Sequence, residues 1–136
     1  MALDKRLKDF KSALQRLDEA INKSNEYKDK DEYSFFRDST IQRFEFTLEI
    51  AWKSIKNYLL VKEGVECRSP KSCMREFFSV GYIDETEISS LLEMIDDRNL
   101  ATHTYHESIS EEIFSKMDKY SKLLNKIYKI LSEDSI

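Results

Sequence analysis

Apolar residues recur along this chain in steps of three and four, the period of a helix that buries one side. Leu7, Phe10, Leu14, Leu17 and Ile21 continue such a stripe from Leu3, with charges on the opposite face. The period lapses from Asn22 to Asp31, which predicts a polar connection between antiparallel helices. A longer helix is predicted from about Tyr33 to Val61, with Phe36, Ile41, Phe44, Leu48, Ala51, Ile55, Tyr58 and Leu59 on or near one side. Phe46, Ile50 and Trp52 widen that stripe beyond what a single neighbour needs, which predicts cover on two sides by a bundle or by another subunit.

Start and stop signals divide the rest. Gly64 suits a helix C-cap, and Ser69-Pro70 supplies an N-cap followed by a first-turn proline. Gly81 closes the short helix that carries Cys73, Met74, Phe77 and Phe78. Asp84 with Glu87 forms a capping-box pattern ahead of Ile88, Leu91, Leu92 and Ile95. A last helix is predicted to start after Ser108 or Ser110, with Ile113, Met117, Tyr120, Leu124, Ile127 and Leu131 as its stripe. The sum is an all-α protein: an up-and-down four-helix bundle with one additional short helix, one domain over residues 1–136.

Composition agrees with the period. Two glycines, one proline and 35% charged residues describe a helical chain with few backbone breakers. The net charge of -4 argues against a broad basic face for nucleic acid and leaves room only for a local RNA site. Cys67 and Cys73 fall in no metal spacing with the two histidines, so neither a metal site nor a disulfide framework is indicated, and free thiols are expected. No apolar run reaches the length of a signal peptide core or a membrane span, so a cytoplasmic protein without membrane attachment is the expectation.

The chemistry concentrates in Asp96-Asp97-Arg98-Asn99-Leu100-Ala101-Thr102-His103-Thr104-Tyr105. Within eight residues stand a permanent cation, an imidazole, a carboxamide and a phenol, groups that can bind a phosphodiester and move protons around it. On an unbroken helix Asn99 and His103 share a face, while Arg98 and His103 diverge by roughly 140°. Arg98 and His103 converge only if the helix ends between them, and Thr102, Thr104 and His106 make an end near Thr102 plausible. A dimer is the other route, with Arg98 of one subunit completing the site around His103 of another. No Gly-rich phosphate loop, hydrolase elbow, His-Glu-x-x-His or Gly-Ser followed by Asp-x-Asp is present, so the chain alone is not expected to transfer nucleotides, and no cofactor or metal is called for.

Arg98 through Tyr105 has the form Arg-x4-His-x-Tyr, which resembles the HEPN (higher eukaryotes and prokaryotes nucleotide-binding) superfamily. Three further segments are similar to its bacterial branch of nucleotidyltransferase substrate-binding proteins: Arg43 to Lys53, Ser69-Pro70-Lys71 through Val80-Gly81-Tyr82-Ile83, and Met94-Ile95-Asp96-Asp97 leading into the arginine motif. The four blocks cover nearly the whole chain in order. The resemblance implies a HEPN-like bundle that forms a homodimer and partners a separately encoded minimal nucleotidyltransferase.

In many such proteins the dimer cleft is a metal-independent endoribonuclease, often a toxin, which the companion silences by adenylylating the motif tyrosine. By position, Arg98 would stabilise the charged phosphorane, His103 would act as general acid or base on the RNA 2'-hydroxyl, Asn99 would orient one of them, and Tyr105 would be the modification target. The alternative is a noncatalytic subunit that holds a nucleotide or another substrate for its companion. A purely structural bundle is the third reading. His106 lies outside the motif and is expected to be ordinary surface.

Overall fold

The computed structural model describes residues 2–133, with side chains from Lys5 onward, so the Leu3 side chain and residues 134–136 lie outside the described residues. Six helices follow one another: α1 (Ala2–Glu26), α2 (Tyr33–Glu63), α3 (Pro70–Ser79), α4 (Glu85–His103), α5 (Glu107–Phe114) and α6 (Met117–Glu133). Helix α1 lies antiparallel along α2 and also touches α6, while α3 bridges α2 to α4 and α5 rests on α2. Side chains from all six helices meet in a shared core that includes Phe10, Leu17, Phe44, Ile55, Met74, Phe77, Leu91, Met94, Phe114, Tyr120 and Leu124. The described residues are all-helical, as the three-and-four spacing predicts.

Polar groups set the register of the first pair. Thr47 Oγ1 donates to the Ala13 carbonyl at 3.3 Å and Arg43 to the Arg16 carbonyl at 2.8 Å. Further along, buried Ser24 and Thr40 share a hydrogen bond of 2.9 Å. That last contact explains why α1 continues to Glu26, past the predicted break at Asn22. Its partner across the interface lies in α2, which a local period does not register.

The caps lie where their chemistry puts them. Gly64 ends α2 with φ at 66°, a left-handed conformation that is easiest for glycine, and its amide returns to Leu60. Ser69 and Ser72 form a reciprocal capping box on α3, and Asp84 with Glu87 forms another on α4.

Two expectations need correction. Cys67 and Cys73 form a disulfide with a Cα–Cα separation of 5.1 Å, where the sequence predicts free thiols. The extended segment after Gly64 brings Cys67 alongside Cys73, one turn into α3, and both are buried. The predicted last helix is two helices, broken at Ser115 and Lys116 with neither glycine nor proline to announce it.

The break has a tertiary partner. Buried Asp97 of α4 accepts from the Tyr120 hydroxyl at 2.5 Å and from Lys116 Nζ at 3.1 Å, so the break and the first turn of α6 are tied to one carboxylate. Lys116 also reaches Glu93 at 3.3 Å. Of the residues that widen the α2 stripe, Ile50 and Trp52 pack against the core, whereas Phe46 remains 65% exposed.

Tyr120→Phe removes one donor from a buried carboxylate and is expected to lower unfolding stability by about 1–3 kcal/mol, measured by urea denaturation at neutral pH. An unchanged midpoint and slope would show that Lys116 alone satisfies Asp97.

Candidate functional site

Helix α4 distributes the four candidate residues by its own period. Arg98 faces α2, where its Nη2 donates to Glu49 Oε2 at 2.9 Å. Thr102, one turn on, bonds Glu45 of α2 at 3.1 Å and the Arg98 carbonyl at 2.9 Å. Asn99 and His103, four apart, share the exposed outer face. The helix remains intact through His103 and is capped by extended Thr104, so Arg98 and His103 keep the divergence of an unbroken helix. The helix end near Thr102 is therefore present but falls too late to join them, and among the described residues no hydrogen bond or ion pair links the two.

Arg98 is only partly used. Its side chain is 29% exposed, yet Nε is buried with no hydrogen-bond partner among the described residues. Glu49 carries most of the local pairing, accepting from Trp52 Nε1 at 3.0 Å and from Lys53 at 3.1 Å as well as from Arg98. Partial burial favours its neutral form, but the donors Trp52 and Lys53 and the two nearby cations outweigh this and hold the carboxyl below its ordinary value.

Tyr105 leaves the helix end and turns toward α2 and α5. It is 70% exposed, with its phenol oxygen 3.1 Å from Asp38 Oδ2 and 3.3 Å from Glu107 Oε1. The hydrogen bond to Asp38, that carboxylate's charge and the charge of Glu107 all push the phenol above its ordinary pKa. Beside it lies a pocket of about 140 Å³, bounded by Asp38, Gln42, Glu45, Ala101, Thr104 and Tyr105.

Beneath the phenol sits a residue that the sequence motifs do not contain. Arg37 of α2 is 2% exposed and binds Asp38, Glu107 and Glu111 together. Those bonds hold Glu107 below the ordinary carboxylate range. The signal for Arg37 was available in its register: seven residues before Phe44, it occupies a core-facing position of the apolar stripe, where a charge needs partners. The pairing of Glu49 with Arg98 and of Asp38 with Tyr105 had no such signal, because both depend on which helices face α2.

Comparison with known proteins gives the family. The model of one family, described as nucleotidyltransferase substrate binding protein like, matches residues 5–133. The chain belongs to the nucleotidyltransferase substrate binding protein-like family. A crystal structure of a protein from Thermus thermophilus is similar at 35% identity and a TM-score of 0.72, covering 85% of this chain and 98% of that one. No curated protein matches the chain in sequence. Among the described residues of this nucleotidyltransferase substrate binding protein-like chain, no cluster of metal-ligating side chains occurs, and no helix is long and apolar enough to cross a membrane.

The Glu49 cluster makes a pH prediction. Because the folded carboxyl titrates below the unfolded one, its stabilisation is present above the ordinary carboxylate range and is lost as pH falls through the depressed folded value. Glu49→Gln is expected to cost about 1 kcal/mol at pH 7 after allowing for solvent screening, with the gap from wild type closing toward pH 3 in urea titrations. A gap independent of pH would contradict this.

Proposed function

We propose that this chain is the partner of a separately encoded minimal nucleotidyltransferase, that two copies pair, and that the paired α4 ends form a metal-independent endoribonuclease controlled by adenylylation of Tyr105. The observation that carries the reading is the placement of Asn99, His103 and Tyr105 on accessible surface at one end of α4, with Arg98 one residue before Asn99 and its Nε unpaired. The family description supports the nucleotidyltransferase partner. Because Arg98 and His103 diverge on α4, the site requires Arg98 from one subunit and His103 from the other.

In that site His103 takes the proton of the RNA 2'-hydroxyl as it attacks phosphorus or returns a proton to the leaving oxygen, Arg98 meets the charge that develops on the phosphorane, and Asn99 orients one of them. An adenylyl group on Tyr105 adds bulk and a negative phosphate two residues from His103, obstructing the groove and competing for the cation that RNA needs.

A second reading is favoured by one observation. The Arg98 charge is already engaged by Glu49, and Asp38 and Glu45 line the adjoining pocket with Glu107 beside Tyr105, negative charge that opposes an RNA backbone. On that reading the chain is a noncatalytic subunit that holds a nucleotide or another substrate for its companion.

The two readings separate in one set of assays. Purified chain is expected to cleave RNA in the presence of chelator, and His103→Ala is expected to lower cleavage by about 10²-fold or more while the dimer persists in sedimentation. Cleavage unchanged in that variant removes His103 from the mechanism. Nucleotide binding that is lost in Arg98→Ala, with no RNA cleavage by the wild-type chain, establishes the noncatalytic subunit instead.

A further inference from the structure

The Tyr105 phenol is not held by generic surface polarity. Arg37 Nε and Nη2 both bond Asp38 Oδ1, at 3.1 and 3.0 Å, which fixes that carboxylate and leaves Oδ2 turned to the phenol oxygen at 3.1 Å. Glu107, the other neighbour, is farther from the phenol at 3.3 Å, and its Oε1 is shared with Arg37 Nη2 at 3.0 Å. Asp38 Oδ2 has no such competitor among the described hydrogen bonds, and the 39% exposed side chain can pass a proton on to water. The charged groups that act on the phenol are Asp38 from α2 and Glu107 from α5, with Glu45 in the adjoining pocket, Arg37 and Glu111 bonded behind the two carboxylates and His103 two residues back at the end of α4.

We infer that Asp38 is the general base for nucleotidylation of Tyr105, oriented by the buried guanidinium of Arg37. The inference rests on the reading of Tyr105 as the modification target. The phenol oxygen attacks the α-phosphorus of a nucleoside triphosphate held by the nucleotidyltransferase. As the new oxygen–phosphorus bond forms, the bond from α-phosphorus to the leaving pyrophosphate breaks, and the phenol proton passes to Asp38 Oδ2 and from there to solvent.

The surrounding carboxylates keep the phenol protonated at neutral pH, so attack by a preformed phenolate is suppressed and a positioned base gains importance. The base, its orienting cation and the nucleophile form the chain of contacts that activated hydroxyl nucleophiles require. Arg37 is then a positioning residue, orienting Asp38 through two hydrogen bonds.

The test uses the full chain, the nucleotidyltransferase encoded beside it and magnesium-ATP, with adenylylated Tyr105 quantified by mass spectrometry under single-turnover conditions. Asp38→Asn is expected to slow labelling by about 10²–10³-fold, with a residual rate that climbs about tenfold per pH unit through the neutral range as phenolate becomes the reactive species. Asp38→Ala is expected to be slow in the same way and to recover with added formate, while Glu112→Gln, at an exposed carboxylate of α5 outside the Arg37 cluster, stays within about threefold of wild type. Thermal melts confirm that each variant is folded, and formate rescue of Asp38→Ala distinguishes a missing base from a distorted site. Folded Asp38 variants that label at the wild-type rate with the wild-type pH profile overturn the base assignment and leave the Tyr105 reading intact. Labelling that persists in Tyr105→Phe, or that never occurs on the wild-type chain, overturns that reading and the base with it.

Discussion

The arrangement around the candidate site depends on one buried cation. Arg37 is 2% exposed, and a guanidinium removed from water is destabilising unless carboxylates and hydrogen bonds surround it. Here Asp38, Glu107 and Glu111 do so, and Tyr33 adds its ring face 5.8 Å away and a hydroxyl bond of 2.5 Å to Glu111. Glu107 and Glu111 lie one turn apart on α5, so the cluster ties that short helix to the start of α2. The three residues between His103 and α5 are then held at both ends, and Tyr105 is the middle one of them.

Helix α4 is anchored just as firmly on another side. Asp97 is buried and tied to Lys116 and Tyr120, which fixes the rotation of the helix about its axis. With Asp97 facing α6, the 100° step of the helix sends Arg98 toward α2 and leaves Asn99 on the surface. His103 follows Asn99 by four positions and shares its exposure. The separation of guanidinium and imidazole follows from five steps of an unbroken helix, and the binding of Asp97 decides which neighbours each of them meets.

Much of the fold was legible because it is local. The stripe from Leu7 to Ile21, the Gly64 cap and the Asp84–Glu87 box each depend on residues within a turn or two of one another, and each has its expected place. The Cys67–Cys73 disulfide and the break at Ser115 and Lys116 were not legible, since both answer to contacts outside their own segments. At the site, the exposed placement of His103 and Tyr105 followed from the end of the apolar repeat. The pairing of Arg98 with Glu49, and the cradle of Arg37 and Asp38 under Tyr105, depended on the orientation of α4 and α5 against α2, which no spacing within one helix encodes.

The claim that Arg37 sets the geometry of the Tyr105 segment is open to direct measurement by amide hydrogen exchange on an Arg37→Met variant, whose apolar side chain fills similar space without the charge. Exchange in residues 104–111 is expected to accelerate by about tenfold or more, while residues 88–100 of α4 retain their protection, as local opening predicts. Unchanged protection across 104–111, or an equal loss throughout the chain, would show that the buried guanidinium does not hold this segment in place.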